Sequence, residues 1–221
     1  MNLDLTPVLP AIVVALTAIV VLLVGAFVGP TLALARGLSS AGLVAALLLV
    51  GSQATDGSLG GSVAGGAYAQ FLSIAILLVA LFAVWLAAAR LDEEGVKPHE
   101  YFTLVLFSVV GMLGLVSATE AISLFVALEI MSVPLYALCA MPRNGAGRQE
   151  AGIKYFITGS FASAFLLFGI ALLYGASGST SFDGMARAVV GGGPLVLMGI
   201  AFFLVGVLFK VGAAPFHMWS P

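Results

Sequence analysis

Apolar runs of about twenty residues, separated by short polar or glycine-rich breaks, organise the chain from end to end. A hydrocarbon core of ~30 Å takes ~20 residues of helix. Seven runs qualify: residues 8–28, 31–50, 68–89, 101–118, 121–140, 151–174 and 194–214. The second is the weakest, because Arg36 lies in its first turns and Gly37, Ser39 and Ser40 follow. Residues 51–66 form a Gly/Ser run, 90–100 are charged and 175–193 are again rich in Gly and Ser, so each reads as a connection. Gly60-Gly61 and Gly65-Gly66 match no phosphate-cradling pattern, and that segment reads as a flexible loop. The predicted fold is all-α, a polytopic transmembrane helix bundle of about seven spans with no soluble domain between them.

Composition agrees with this pattern. Of 221 residues, 62% are apolar and 8% charged, against about 25% charged in soluble domains. Eight Lys and Arg against ten Asp and Glu give a net charge of -2, which leaves no clustered basic footprint for nucleic acid. The lipid bilayer is the expected partner. Cys139 is the single cysteine, so neither a disulfide framework nor a multi-cysteine metal site is available. The first ten residues hold Asp4 and no Lys or Arg. Without the basic start of a secretory signal, the first span is expected to be retained.

Positive loops tend to stay cytoplasmic. Arg36, Arg90, Lys97, Arg143 and Arg148 fall after the first, third and fifth spans, and only Arg187 falls on the opposite side. This five-to-one bias predicts an N-terminus outside, and the expected location is the cell's inner (plasma) membrane, as a multi-pass protein.

Three ionisable residues remain inside spans: Glu129, Lys154 and Lys210. A lysine at a helix centre costs about 2.5 to 3.5 kcal/mol on insertion scales, while each large aliphatic or Phe residue returns about 0.3 to 0.6. Eleven Leu, Ile, Val or Phe residues between Leu195 and Phe209 therefore keep the seventh span inserted despite Lys210. Ionisable groups in a bundle point to ion or proton passage, or else to a fixed interhelical pair or a snorkelling lysine. Pro134 has no N–H to give the Ile130 carbonyl, so an unsatisfied carbonyl is expected beside Glu129. Gly212 and Pro215 follow Lys210 within five residues. They predict a discontinuous seventh helix, of the kind that lines transport cavities. His217, seven residues after Lys210, adds a group able to titrate near neutrality. Glu129 and Lys154 are expected to couple: at roughly 7 Å and an effective dielectric of about 20, Coulomb's law gives about 2.4 kcal/mol. Glu120 reads as an interfacial residue.

Three runs carry a family resemblance: Glu129-Ile-Met-Ser-Val-Pro-Leu-Tyr136, Glu150-Ala-Gly-Ile-Lys154-Tyr-Phe-Ile-Thr-Gly-Ser-Phe-Ala-Ser-Ala164 with Leu172-Leu-Tyr-Gly175 behind it, and Phe209-Lys210-Val-Gly-Ala-Ala-Pro215-Phe-His-Met-Trp-Ser-Pro221. In order and spacing they resemble subunit N of NADH-quinone oxidoreductase, an antiporter-like membrane subunit of respiratory complex I. The resemblance is densest over residues 101–221, and it divides the chain into a three-helix segment, 1–100, and a partial proton-translocating module, 101–221. It implies that Glu129, Lys154 and Lys210 belong to a proton pathway. It also implies other membrane subunits as partners, with NADH, flavin, iron-sulfur clusters and quinone held by partner subunits and no cofactor in this chain. Family members run to about fourteen helices, so the chain reads as an N-terminal fragment. A subunit of a multi-subunit cation/proton antiporter or of a membrane-bound hydrogenase, and a non-transporting scaffold whose buried charges fix helix register, are the alternative readings.

Overall fold

The structure, a computed structural model, describes residues 4–29, 31–52, 57–141 and 146–217. Arg143, counted above for orientation, and residues 218–221 of the last motif lie outside the described residues. The helices are α1 (Leu9–Phe27), α2 (Leu32–Ser52), α3 (Ala67–Glu94), α4 (Pro98–Ser117), α5 (Ala121–Ala140), α6 (Ala146–Ser177), α7 (Phe182–Gly191) and α8 (Pro194–Val211). All but α7 are long and apolar enough to cross a membrane. The chain is a multi-pass membrane protein.

Each boundary has a local cause. The charged stretch after Ala89 is helical as far as Glu94, not a loop from Arg90 onwards, because Arg90, Leu91, Glu93 and Glu94 are straight-chain helix formers that carry it past the apolar run. Gly95 then stops α3 in the left-handed conformation, at φ 63°, and Pro98 opens α4 at its first turn. Of the small residues in the second run, Ser39 and Gly42 are packed, whereas Gly37 faces open space. A Cβ at Gly42 would collide with the Thr17 side chain of α1, and Ser39 satisfies its own hydroxyl on the Ala35 carbonyl at 2.8 Å. Arg36 stands 4.5 Å above the Trp85 ring of α3, which keeps its charge near the end of the bundle.

Two breaks expected as loops are ordered. Ser58–Leu59 (β1) and Val63–Ala64 (β2) pair antiparallel, joined through Gly60 and Gly61 at φ 61° and 78°. Two consecutive positive φ values make the tight turn that Gly-Gly favours in a hairpin. The 175–193 break contains α7, started by Ser181, whose hydroxyl accepts the Gly184 N–H at 3.1 Å. At ten residues α7 is too short to span.

The hairpin, the α4–α5 connection and the α6–α7 connection meet at one end of the bundle. Thr119 donates its N–H to the Ser62 carbonyl at 3.0 Å, and Ala121 donates to Thr180 at 2.9 Å. Glu120 accepts from Thr180 Oγ1 at 2.6 Å and from Ser123 Oγ at 3.1 Å. These hydroxyls, that of Thr180 foremost, hold its carboxyl below the usual glutamate range. The interfacial reading of Glu120 fits this place. The starts of α1 and α5 and the ends of α2, α4 and α6 thus share one surface, as seven alternating spans require.

Buried residues fall into two groups. One joins α1, α2, α3 and α4 around Val14, Leu43, Leu77, Phe102 and Leu106. The other joins α5, α6, α7 and α8 around Leu128, Leu166, Ile170 and Met185. The α4 helix belongs to the first core, yet its Gly111 lies so close to the Met131 backbone of α5 that a Cβ would not fit.

Candidate proton-transfer site

Spacing on α5 places Glu129, Ser132 and Tyr136 on one helix face, at positions i, i+3 and i+7. Facing them, α6 presents Gly159 and Ser163. A Cβ at Gly159 would overlap the Tyr136 hydroxyl, so glycine is what allows the phenol to lie against α6. The Tyr136 ring is held edge-on by Tyr155, with centroids 4.6 Å apart.

Lys210 completes the cluster from the last turn of α8. Its Nζ donates to Ser132 Oγ at 2.9 Å and to Tyr136 OH at 3.1 Å, and stands 3.6 Å from Glu129 Oε1. Three N–H bonds therefore have three oxygens nearby, which is what a lysine withdrawn from water needs. Ser163 Oγ donates to the same Glu129 oxygen at 2.5 Å, and Ser132 Oγ donates to the Leu128 carbonyl at 2.6 Å. A carboxylate, an ammonium and three hydroxyls thus form one hydrogen-bonded group between three helices.

The expected discontinuity lies directly after the lysine. Gly212 takes φ 70°, its N–H bonds back to Phe209 at 3.0 Å, and the Ala213 N–H bonds to Leu208 at 2.9 Å. This reciprocal cap ends α8. Lys210 contacts Glu129, Ser132 and Tyr136, all short of the Ala140 end of α5, so α8 stops within the depth of the bundle. Around Pro134, by contrast, α5 continues unbroken from Ala121 to Ala140.

The expected pairing of Glu129 with Lys154 is not what the structure shows. Lys154 is 72% exposed in its side chain and pairs with Glu150, one turn away on α6, at 2.5 Å. The reason is helical phase: at 3.6 residues per turn, Lys154 lies about 200° round from Gly152, and Gly152 faces Ala140 of α5. The partner of Glu129 is Lys210. His217 is exposed beyond the break, and among the described residues no hydrogen bond or ion pair ties it to the cluster. Ser132, Tyr136 and Ser163 were not expected from the sequence. The i, i+3, i+7 polar stripe on α5 was the available signal for the first two.

The chain is similar to known proteins. Residues 118–221 match the family model described as NADH:quinone oxidoreductase/Mrp antiporter, TM. Over the whole chain, identity is 38% to NADH-quinone oxidoreductase subunit N of Erythrobacter litoralis, of which 47% is covered. The second half of the chain is similar to that family, and the whole chain to the first half of these subunits. It spans about half the length of the relatives it matches. Among solved structures, a chain of respiratory complex I from Thermus thermophilus superposes with TM-score 0.80 and 33% identity, over 96% of this chain and 46% of that one. A chain of the archaeal membrane-bound sulfane sulfur reductase superposes at TM-score 0.83 with 22% identity, over 97% and 46%, which shows that the two share a fold. The Glu129–Lys210 pair lies inside the family-matched segment.

Proposed function

We propose that the chain supplies a proton-transfer site within an antiporter-like subunit N of an NADH-quinone oxidoreductase, with Glu129 and Lys210 as the exchanging groups. The observation that carries this is the 3.6 Å approach of Lys210 Nζ to Glu129 Oε1 beside the end of a broken helix. At an effective dielectric of about 20 such a distance corresponds to roughly 4 to 5 kcal/mol of attraction before desolvation is subtracted. Separating the pair, or neutralising one member, therefore changes the other's proton affinity by a large factor. Ser132 and Tyr136 hydroxyls both accept from Nζ and carry protons of their own, so a proton leaving the ammonium has oxygens within reach.

In this reading NADH oxidation and quinone reduction take place on partner subunits that hold flavin and iron-sulfur clusters, and this chain performs no redox step. The protein sits in the plasma membrane with its N-terminus outside, as the Lys/Arg bias directs.

The test is Glu129→Gln in the full-length subunit assembled in its complex. An amide keeps the shape but does not exchange a proton in this range. Coupled pumping and quinone-linked turnover fall together while the amount of assembled complex stays close to normal. Normal pumping by a fully assembled variant would instead favour the scaffold reading.

A further inference from the structure

A second polar place lies at the opposite end of the bundle from the hairpin, where α1 ends and α4 begins. A cavity of about 300 Å³ there is lined by Leu22, Gly25, Ala26, Lys97, His99 and Glu100. His99 is 2% exposed, and among the described residues neither of its ring nitrogens has a hydrogen-bond partner. Buried polar groups are almost always satisfied, so two unsatisfied nitrogens on one ring need an explanation. Packing fixes the ring, because a Cβ at Gly25 would overlap the His99 side chain. One turn further on, Thr103 Oγ1 donates to the Ala18 carbonyl at 3.2 Å. The histidine is thus held against α1 with its nitrogens left for something else.

The surroundings indicate what that is. No side chain caps α4, which leaves its first-turn N–H groups available, and this end of a helix carries partial positive charge. At the mouth Lys97 and Glu100 pair at 2.9 Å, with about half of each side chain exposed. One cation and one anion at a single mouth match a ligand that carries both charges. Along α1 from the cavity, Leu16, Ile19, Leu22 and Leu23 are large apolar residues open to the surroundings. They provide a bed for acyl chains at the level where a headgroup meets the hydrocarbon.

We infer that this cavity binds the headgroup of an aminophospholipid, with the phosphate on His99, Lys97 and the start of α4, the ammonium on Glu100, and the tails along α1. One ion pair is exchanged for two, and the histidine gains the partner it lacks. The inference is independent of the proton-transfer reading.

The full-length subunit in its complex, stripped of lipid in mild detergent, is titrated with dioleoylphosphatidylethanolamine, dioleoylphosphatidylglycerol and inorganic phosphate, and bound species are counted by native mass spectrometry. One phosphatidylethanolamine is expected to bind more tightly than phosphatidylglycerol, and free phosphate in excess does not displace it. His99→Leu and Lys97→Gln each weaken it by about tenfold, the scale of a charge-assisted hydrogen bond. Arg187→Gln, on α7 at the other end, leaves it unchanged. Lys97 is exposed, so its variant decides the matter even if the buried His99→Leu chain does not fold. Retention of the lipid by Lys97→Gln at parental affinity overturns the proposal. Equal binding of phosphatidylglycerol, or displacement by free phosphate, also overturns it.

Discussion

Lys210 and Glu129 approach to 3.6 Å from two helices that end at different depths, and their exposure is unequal: 11% of the lysine side chain is accessible against 31% of the glutamate. The lysine is enclosed by its partners, whereas the glutamate keeps an open side. Under the proposed role, an enclosed ammonium beside an accessible carboxylate has a direction built in, with exchange beginning at Glu129 and storage at Lys210.

Lys210→Arg tests storage. Arginine keeps the positive charge and does not release its proton in proteins. The variant should insert and assemble, retain the pair with Glu129, and lose most coupled pumping in a proteoliposome assay. Pumping at the parental rate would make the charge structural.

The two lysines should separate sharply in stability. Lys154→Gln removes an exposed pair on one helix face and should leave the thermal unfolding midpoint of the purified full-length subunit nearly unchanged. Lys210→Gln leaves Glu129 without its cation and should cost about 1 to 3 kcal/mol, since the carboxylate keeps an open side. Equal midpoints for the two variants would contradict the phase of α6 described above.

Acid should loosen the hairpin end first. Glu120 is held below the usual range by hydroxyl donors, so its contribution to stability is complete above the unfolded value near 4.3 and is lost as pH falls through the lower folded value. Glu120→Gln should flatten the acid limb of a stability-against-pH curve, and hydrogen exchange at Thr119 and Ala121 should rise in the parent over the same range. A variant with an unaltered acid limb would remove Glu120 from that role.

Gly206→Ala should separate α6 from α8. A Cβ at Gly206 would stand 2.5 Å from Leu166 Cβ and 2.9 Å from its Cα, contacts that backbone displacement must relieve at about 1 to 3 kcal/mol. Because Lys210 lies one turn beyond, lower pumping should accompany the lower midpoint. A variant of unchanged stability would show that the helices are less closely seated.

Cysteine labelling checks orientation. A cysteine at Gly61, in the hairpin, should react with an impermeant reagent from outside, and one at Gly95 only after the inner face is opened. Labelling of both from the same side would refute seven alternating spans.

The spans were legible because length and hydropathy belong to each run alone. All seven expected runs are helices, and the break after Lys210 was readable from Gly212 and Pro215, which act within a few residues. What the sequence did not reveal depends on neighbours. Whether Glu129 meets Lys154 or Lys210 is decided by which side of α6 packs on α5, and that follows from Gly152 and Gly159, whose purpose is visible only once Ala140 and Tyr136 are beside them. The hairpin is missed when the Gly/Ser run is read as a flexible loop, although Gly60-Gly61 is also a turn former. Helix α7 was hidden by its Gly/Ser flanks, even though Ser181 and Asp183 are an N-cap and a first-turn acid.

The glycines along α6 and α8 have one more effect. At Gly169 the backbone of Phe203 arrives, at Gly199 the side chain of Leu173, and at Gly206 the backbone of Leu166. At Gly169 and Gly206 the two helices come within backbone contact of each other, and at Gly199 the Leu173 side chain fills the space, so the seam is tightly closed at these three levels. Lys210 therefore has a closely packed seam behind it, on the α6–α8 side leading back to the hairpin end, and its hydroxyl partners on α5 in front. Under the proposed proton-transfer role, such a seam would restrict loading of the lysine to the α5 side, and much of that restriction would come from residues with no side chain at all.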